Sequence, residues 1–227
     1  LPLPKNRIWF GIQEANLETQ LLQPKVPTQD RGRARVEIIR KEALALLAHE
    51  EIDHISISGL AKKAGVGVGT FYHYYPSKEA LVLDLRNLIL KETAASLAEE
   101  FQQPVATKKE FVLLFQKLVN EWLTSLIEVK NLERAVWAYA FKNPDFALAL
   151  RSQETGLQAM VKGILKTYQS SLRPADLDNV ATTLVMWVDG TMSRVLRDES
   201  LIQDHQWLVE ELTRMLGHYI FPDGAKT

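Results

Sequence analysis

The run that most constrains this chain is Ile55–Leu81, ISISGLAKKAGVGVGTFYHYYPSKEAL. Ser56 is a good N-cap, and Ile57 to Ala64 then reads as a short helix with Ile57, Leu60 and Ala61 facing inward. Gly65-Val66-Gly67 is a turn, because glycine reaches positive φ at little steric cost. Val68 to Tyr74 forms a second short helix. Small Ala61 and Ala64 let the two helices approach closely, and Val66 plugs the space between them. Pro76 interrupts, Ser77 caps again, and a long helix runs from Lys78 to about Phe101. Two short helices joined by a tight glycine turn make a helix-turn-helix, whose second helix enters the major groove of DNA.

The side chains expected to face outward suit that partner. Thr70 can donate to a phosphate or touch a thymine methyl, and Tyr72 and His73 can hydrogen-bond backbone phosphates. Gly69 lets the helix backbone press close to the groove. Lys78 stands in the first turn of the next helix, where its ammonium and the free N–H groups can grip one phosphate. Lys62 and Lys63 add charge nearby. Arg31, Arg33 and Arg35 precede or open the first helix and are either a solvated linker or a basic arm that reaches phosphates. Phe71 and Tyr75 read as core. The competing reading of Tyr72 and His73 is a surface aromatic pair without a role.

The stretch AKKAGVGVGTFYHYYPSKEAL resembles the signature of the TetR (tetracycline-repressor) family: Ala-Gly-Val, a small turn residue, Gly-Thr-aromatic-Tyr, an aromatic, then Ser-Lys-Glu and Leu. With the first helix the likeness covers about 50 residues, in order and without gaps. Gly67 departs from it, standing where the family usually has Ser or another capping residue. Glycine caps only a few tenths of a kcal/mol less well, so the fold is not in question. The resemblance implies DNA contacts from Thr70, Tyr72, His73 and Lys78, with Lys62 or Lys63 beside them. It also implies an effector pocket in a helical body and a dimer built by the last two long helices.

Around this motif the chain reads as all-α. Val36, Ile39, Ala43, Leu46 and Leu47 recur at helical spacing within Arg33–Glu50. Further helices are expected over Lys108–Glu128, Leu132–Phe141, Asp145–Ser170, Arg173 to about Arg197 with Pro174 at its first position, and Asp204–Ile220. Alternating β-branched runs and hairpin turns are absent from the sequence. The expected organisation is an N-terminal extension over 1–32, a three-helix DNA-binding domain over 33–78, and a larger helical ligand-binding and dimerisation domain over 79–227. The extension holds an apolar cluster, Ile8, Trp9, Phe10 and Ile12, and reads as a flexible tail or as an arm that docks elsewhere.

The body carries more apolar surface than one buried face needs. In the last helix Leu208, Leu212, Met215 and Tyr219 step at helical spacing, and Val209, Leu216 and Ile220 widen the stripe. Leu177, Val180, Leu184, Val188, Thr191 and Val195 do the same in the helix before it. Such excess on two adjacent helices, about 175–197 and 204–220, fits a four-helix interface between subunits, against the plainer reading of ordinary core. Phe115, Trp122, Trp137, Phe141, Met160, Met186 and Trp187 are the candidate lining of an apolar effector site, since aromatics and Met line such pockets. Asp189 is an acid within an apolar stretch, read either as a partner for a cationic ligand or as a cap on a neighbouring backbone group.

Charge agrees with a local nucleic-acid patch rather than an all-over coat. The net charge is −1, yet 8 Lys/Arg face 6 Asp/Glu between Asp30 and Lys78, against 16 facing 20 from Glu79 onward. No cysteine is present, which excludes disulfides and thiolate metal sites. The five histidines are not at ligand spacing, so no metal or cofactor is expected. No nucleophile-elbow, zinc-protease or phosphate-loop pattern occurs, so no enzyme is expected. No apolar run approaches the ~20 residues that span a bilayer, and no signal peptide is read, so the expected place is the cytoplasm. The expected function is a regulator that binds a palindromic operator as a homodimer and answers to an unknown small molecule. The alternative is an architectural DNA binder without an effector.

Overall fold

The computed structural model describes residues 22–100, 107–168, 172–173, 176–203 and 205–221, apart from the side chains of Leu97, Ala98 and Glu199. Expectations placed on residues 1–21, Phe101, Pro104, Pro174 and Asp204 lie outside those residues. The described residues form ten helices and no strand. They are α1 (Asp30–Leu47), α2 (Ile57–Lys63), α3 (Val68–Tyr74), α4 (Lys78–Glu100) and α5 (Lys108–Glu128). After them come α6 (Lys130–Lys142), α7 (Pro144–Thr167), α8 (Leu177–Val195), α9 (Glu199–Gln203) and α10 (Gln206–Ile220).

The chain divides into two compact units: Leu1–Asn87 with Asn131–Ser152, and Leu88–Lys130 with Gln153–Thr227. This grouping differs from a linear cut at residue 78. The first turns of α4, most of α6 and the start of α7 group with the helix-turn-helix.

In unit one, α1 packs on α2 and α2 on α3. The helical stripe of α1 is buried at Val36, Ile39, Ala43, Leu46 and Leu47, as its spacing predicts. The helix begins at Asp30, earlier than expected, and this acid in the first turn complements the helix dipole. The α2 cap is made as expected: Ser56 Oγ accepts the Gly59 N–H at 3.0 Å. Gly65, at φ 65°, ends that helix in the left-handed region. Ser77 Oγ accepts from the Ala80 N–H at 3.1 Å and starts α4. From Ala80 to Arg86 every residue of α4 is buried, so this segment is covered all round. Asn143 caps α7, its Oδ1 accepting from the N–H groups of Asp145 and Phe146, with Pro144 in the first helical position.

Unit two is built on α5, α8 and α10. A capping box opens α5: Thr107 Oγ1 accepts from Glu110 N–H, and Glu110 accepts from Thr107 N–H, each at 3.2 Å. Gly217 lets α10 approach α5, because a Cβ there would already touch Val112 at 3.4 Å. One apolar cluster joins Phe111, Leu165, Tyr168, Leu184, Leu216 and Phe221, with Phe111 edge-on to Tyr168 and Phe221. A second joins Val119, Leu123, Met192, Val195, Val209 and Leu212. Asp176 caps α8, which therefore starts at Leu177 rather than beside Pro174. The short α9 had no periodic signal in the sequence. Its cap is Asp198, whose carboxylate accepts from the Ser200 N–H and hydroxyl, and that bond to Ser200 holds its pKa below the ordinary carboxylate value. Arg173 donates to the carbonyls of Ile220, His218 and Phe221, satisfying the end of α10.

Candidate functional site

The seven residues of α3 divide into two faces. Phe71 and Tyr74 are buried, and Tyr75 behind them is fully buried. Val68, Gly69, Tyr72 and His73 are exposed together, and at 3.6 residues per turn they share one side. Thr70 lies between, half-buried. Tyr72 presents 51% of its surface while its ring meets Phe71 edge-on at 5.7 Å, so its outward ring stands on a core residue. His73 rests edge-on against Tyr74 at 4.9 Å. A Cβ added to Gly69 would meet nothing within 4 Å. Packing within the chain therefore gives no reason for glycine there, whereas an approaching surface does.

The expected cations are placed unequally. Lys62 and Lys63 are exposed in the last turn of α2. Arg33 is exposed and pairs with Asp30 at 2.7 Å. Lys78 is half-buried, and its Nζ donates to the carbonyl of Ile52 at 2.9 Å. It thus ties the start of α4 to the link between α1 and α2, with two ammonium hydrogens left for other acceptors.

Sequence reasoning missed what fixes α3 from behind. Asp84 is 7% exposed and accepts from Arg40 at both oxygens, Nε and Nη2 each at 2.8 Å. Tyr75 Oη donates to the same carboxylate at 2.6 Å. This joins α1, the residue that ends α3, and α4 through one buried charge. Burial, then the neighbouring Asp84 charge, pushes the Tyr75 phenol well above its ordinary range. The hydrogen bond to Asp84 raises the Arg40 guanidinium further. Two turns of α4 also bury Arg86, whose Nε lies 3.7 Å from Glu133 of α6. The available signal was charge inside the apolar run Ala80–Leu85. Tyr139 on α6 is pushed up to about 12, first by burial and then by Glu79 and Asp53.

The candidate effector residues fall in both units. Trp137 is half-buried and Phe141 is 95% exposed, both on α6 in unit one. The other five belong to unit two. Phe115 and Trp187 pack against both apolar clusters, and Met160 is half-buried on α7. Trp122 packs against the second cluster, where its indole N–H is buried without an acceptor. Met186 and Trp187 border an open groove of about 510 Å³, together with Thr191, Leu201, Trp207 and Leu208.

A family profile described as bacterial regulatory proteins of the tetR family matches residues 39–85, and one described as a tetracyclin repressor-like C-terminal domain matches residues 115–220. The chain belongs to the TetR family. Among curated TetR-type relatives, the HTH-type transcriptional regulator EthR of Mycobacterium tuberculosis is 37% identical over 81 residues, 36% of this chain and 33% of that protein. The HTH-type regulator YvdT of Bacillus subtilis is 29% identical over 115 residues, 51% of this chain and 55% of that protein. The chain thus spans about a third to a half of the length of these relatives. Thermus thermophilus FadR, a TetR-family repressor solved with lauroyl-CoA, shares the fold at TM-score 0.63 and 24% identity, over 85% of this chain and 99% of that one. FadR of Bacillus halodurans does so at TM-score 0.65 and 15% identity, over 85% and 97%. The α3 face and the Asp84 network fall within the first TetR profile, and most of α5 with all of α8 to α10 within the second.

Proposed function

We propose that this TetR-family chain is an effector-responsive transcriptional repressor that binds a palindromic operator as a homodimer. The observation that carries the reading is the two-faced α3. Its inner face is locked into core, while Gly69, Tyr72 and His73 stand clear of the chain. Together with Thr70 and the exposed Lys62 and Arg33 of the same unit, these residues hold phosphates and touch base edges. Lys78 reaches the same backbone with the hydrogens it does not spend on Ile52.

Dimerisation through α8 and α10 is supported by large apolar side chains exposed in unit two: Met186 at 66%, Trp207 at 48%, Met215 at 51% and Tyr219 at 42%. A twofold pair then carries two α3 helices about one DNA turn apart, ~34 Å. An apolar effector is supported by the aromatic content of unit two, Phe115, Trp122 and Trp187 above all, and the unanswered Trp122 N–H favours one that brings an acceptor. A TetR-fold neighbour that holds an acyl-CoA agrees with that class. The effector acts only through a difference in affinity between the DNA-competent spacing and another. The reading is of a regulator, not an enzyme, working in the cytoplasm; no described helix is long and apolar enough to cross a membrane.

The test is selection of bound duplexes from random DNA, followed by salt titration. Paired, inverted half-sites and a steep fall of log K with log salt are expected. Absence of enrichment, or binding indifferent to salt, overturns the reading.

A further inference from the structure

The stretch Leu22–Gln29 ahead of α1 lies outside the family match, which begins at residue 39, yet it is fastened to the C-terminal end of α3, the helix that carries the candidate DNA-binding face. The Lys25 N–H donates to the carbonyl of Tyr74, the last residue of α3, at 2.8 Å. Leu22 is 5% exposed and anchors the segment on one side of that bond. On the other side Pro27 sits against Gly32 so closely that a Cβ there would lie 2.9 Å from it and 3.0 Å from the Tyr74 hydroxyl. Pro24 and Pro27 bracket Lys25 and Val26, which stiffens the chain and holds Val26 extended.

This strap holds its backbone in place and offers its side chains to solvent. Lys25 is exposed, and Val26, a branched apolar residue, is 81% exposed. From Leu22 to Arg35 the chain carries four cations, Lys25, Arg31, Arg33 and Arg35, against the single acid Asp30, which Arg33 already holds. A fixed backbone with a free lysine beside the end of a reading helix is pre-organised for a phosphate, since little of the main chain is left to order on binding. An apolar neighbour suits a deoxyribose or a thymine methyl.

We propose that Leu22–Pro27 extends the DNA-binding face beyond α3 and that Lys25 contacts a backbone phosphate. The proposal rests on the reading of α3 as the DNA-binding helix. Its rival is a lysine that merely complements the carbonyl end of α3, which would affect folding but not the release of counterions.

The experiment uses the full chain and the duplex obtained by selection, with binding measured from 0.05 to 0.5 M salt. Lys25→Ala is expected to flatten the slope of log K against log salt by about 0.9 for each lysine that meets a phosphate, which is about eightfold in affinity at 0.1 M salt. Lys25→Arg is expected to restore the slope, and thermal melting to be unchanged in both. Weaker binding at an unaltered slope, or no change at all, overturns the strap as a DNA contact while leaving α3 in place. A wild-type chain that selects no duplex overturns the regulator reading and this proposal together.

Discussion

The two units bury different things. Among the described residues, the buried charged and amide residues Asp84, Arg86, Asn131 and Glu133 all belong to unit one, whereas the buried polar residues of unit two are the hydroxyl-bearing Ser193 and Thr213, beside the buried indole N–H of Trp122. Unit one sets its helices with directional partners: Asp84 meets Arg40 and Tyr75 in one geometry only. Unit two relies on aromatic and aliphatic contacts, which tolerate repacking at modest cost. A part that must hold α3 at a fixed attitude gains from the first kind of interior. On the proposed reading, unit two admits an effector and gains from the second. Replacing such a buried charge network whole by well-packed apolar groups is often neutral, whereas removing one partner strands the others, so the network of unit one ties stability to a single arrangement.

The sharpest way to break the comparison is a matched pair of core truncations. Phe71→Ala in unit one and Leu123→Ala in unit two should each cost about 2–5 kcal/mol in urea unfolding. Measured where both remain folded, only Phe71→Ala should abolish duplex binding. Equal loss of binding in both would show that the units do not divide the work. Asp84→Ala comes next, at about 3 kcal/mol, because Arg40 and the Tyr75 hydroxyl lose their shared acceptor. The same network predicts a pH effect of definite sign. The folded phenol of Tyr75 keeps its proton beyond its ordinary value of 10.0, so the stabilisation is whole below that pH and is lost as pH rises above it. Urea midpoints should fall above pH 10 in the wild type and less steeply in Asp84→Ala.

A smaller change tests unit two alone. Met215→Glu places a charge on the exposed apolar face of α10, and dimer affinity should weaken at least tenfold, about 1.4 kcal/mol. Light scattering should then shift toward the 25.8 kDa chain, while circular dichroism shows unaltered helicity. The smallest effect is Ser56→Ala, which removes the acceptor of the Gly59 N–H and should cost about 1 kcal/mol in thermal unfolding. A neutral result would mean that tertiary contacts alone hold α2.

Much of this molecule was legible from local spacing. Ser56 and Ser77 as caps, Gly65 at the turn, Phe71 and Tyr75 inside, Tyr72 and His73 outside, and α5 from Lys108 to Glu128 are written in residues one to four apart. Helical periodicity and capping operate over that range, so the sequence suffices. Other features joined positions far apart in the chain and became visible only in the fold. Lys78 turns to a carbonyl 26 residues away, Asp84 finds Arg40 across 44, and Arg86 meets Glu133. Residue type marked Phe141 as an apolar pocket candidate, yet it is 95% exposed, while Asn131 and Glu133 of the same helix are buried. Whether a charge is buried depends on what arrives to answer it, and that partner comes from an element whose position no local pattern encodes.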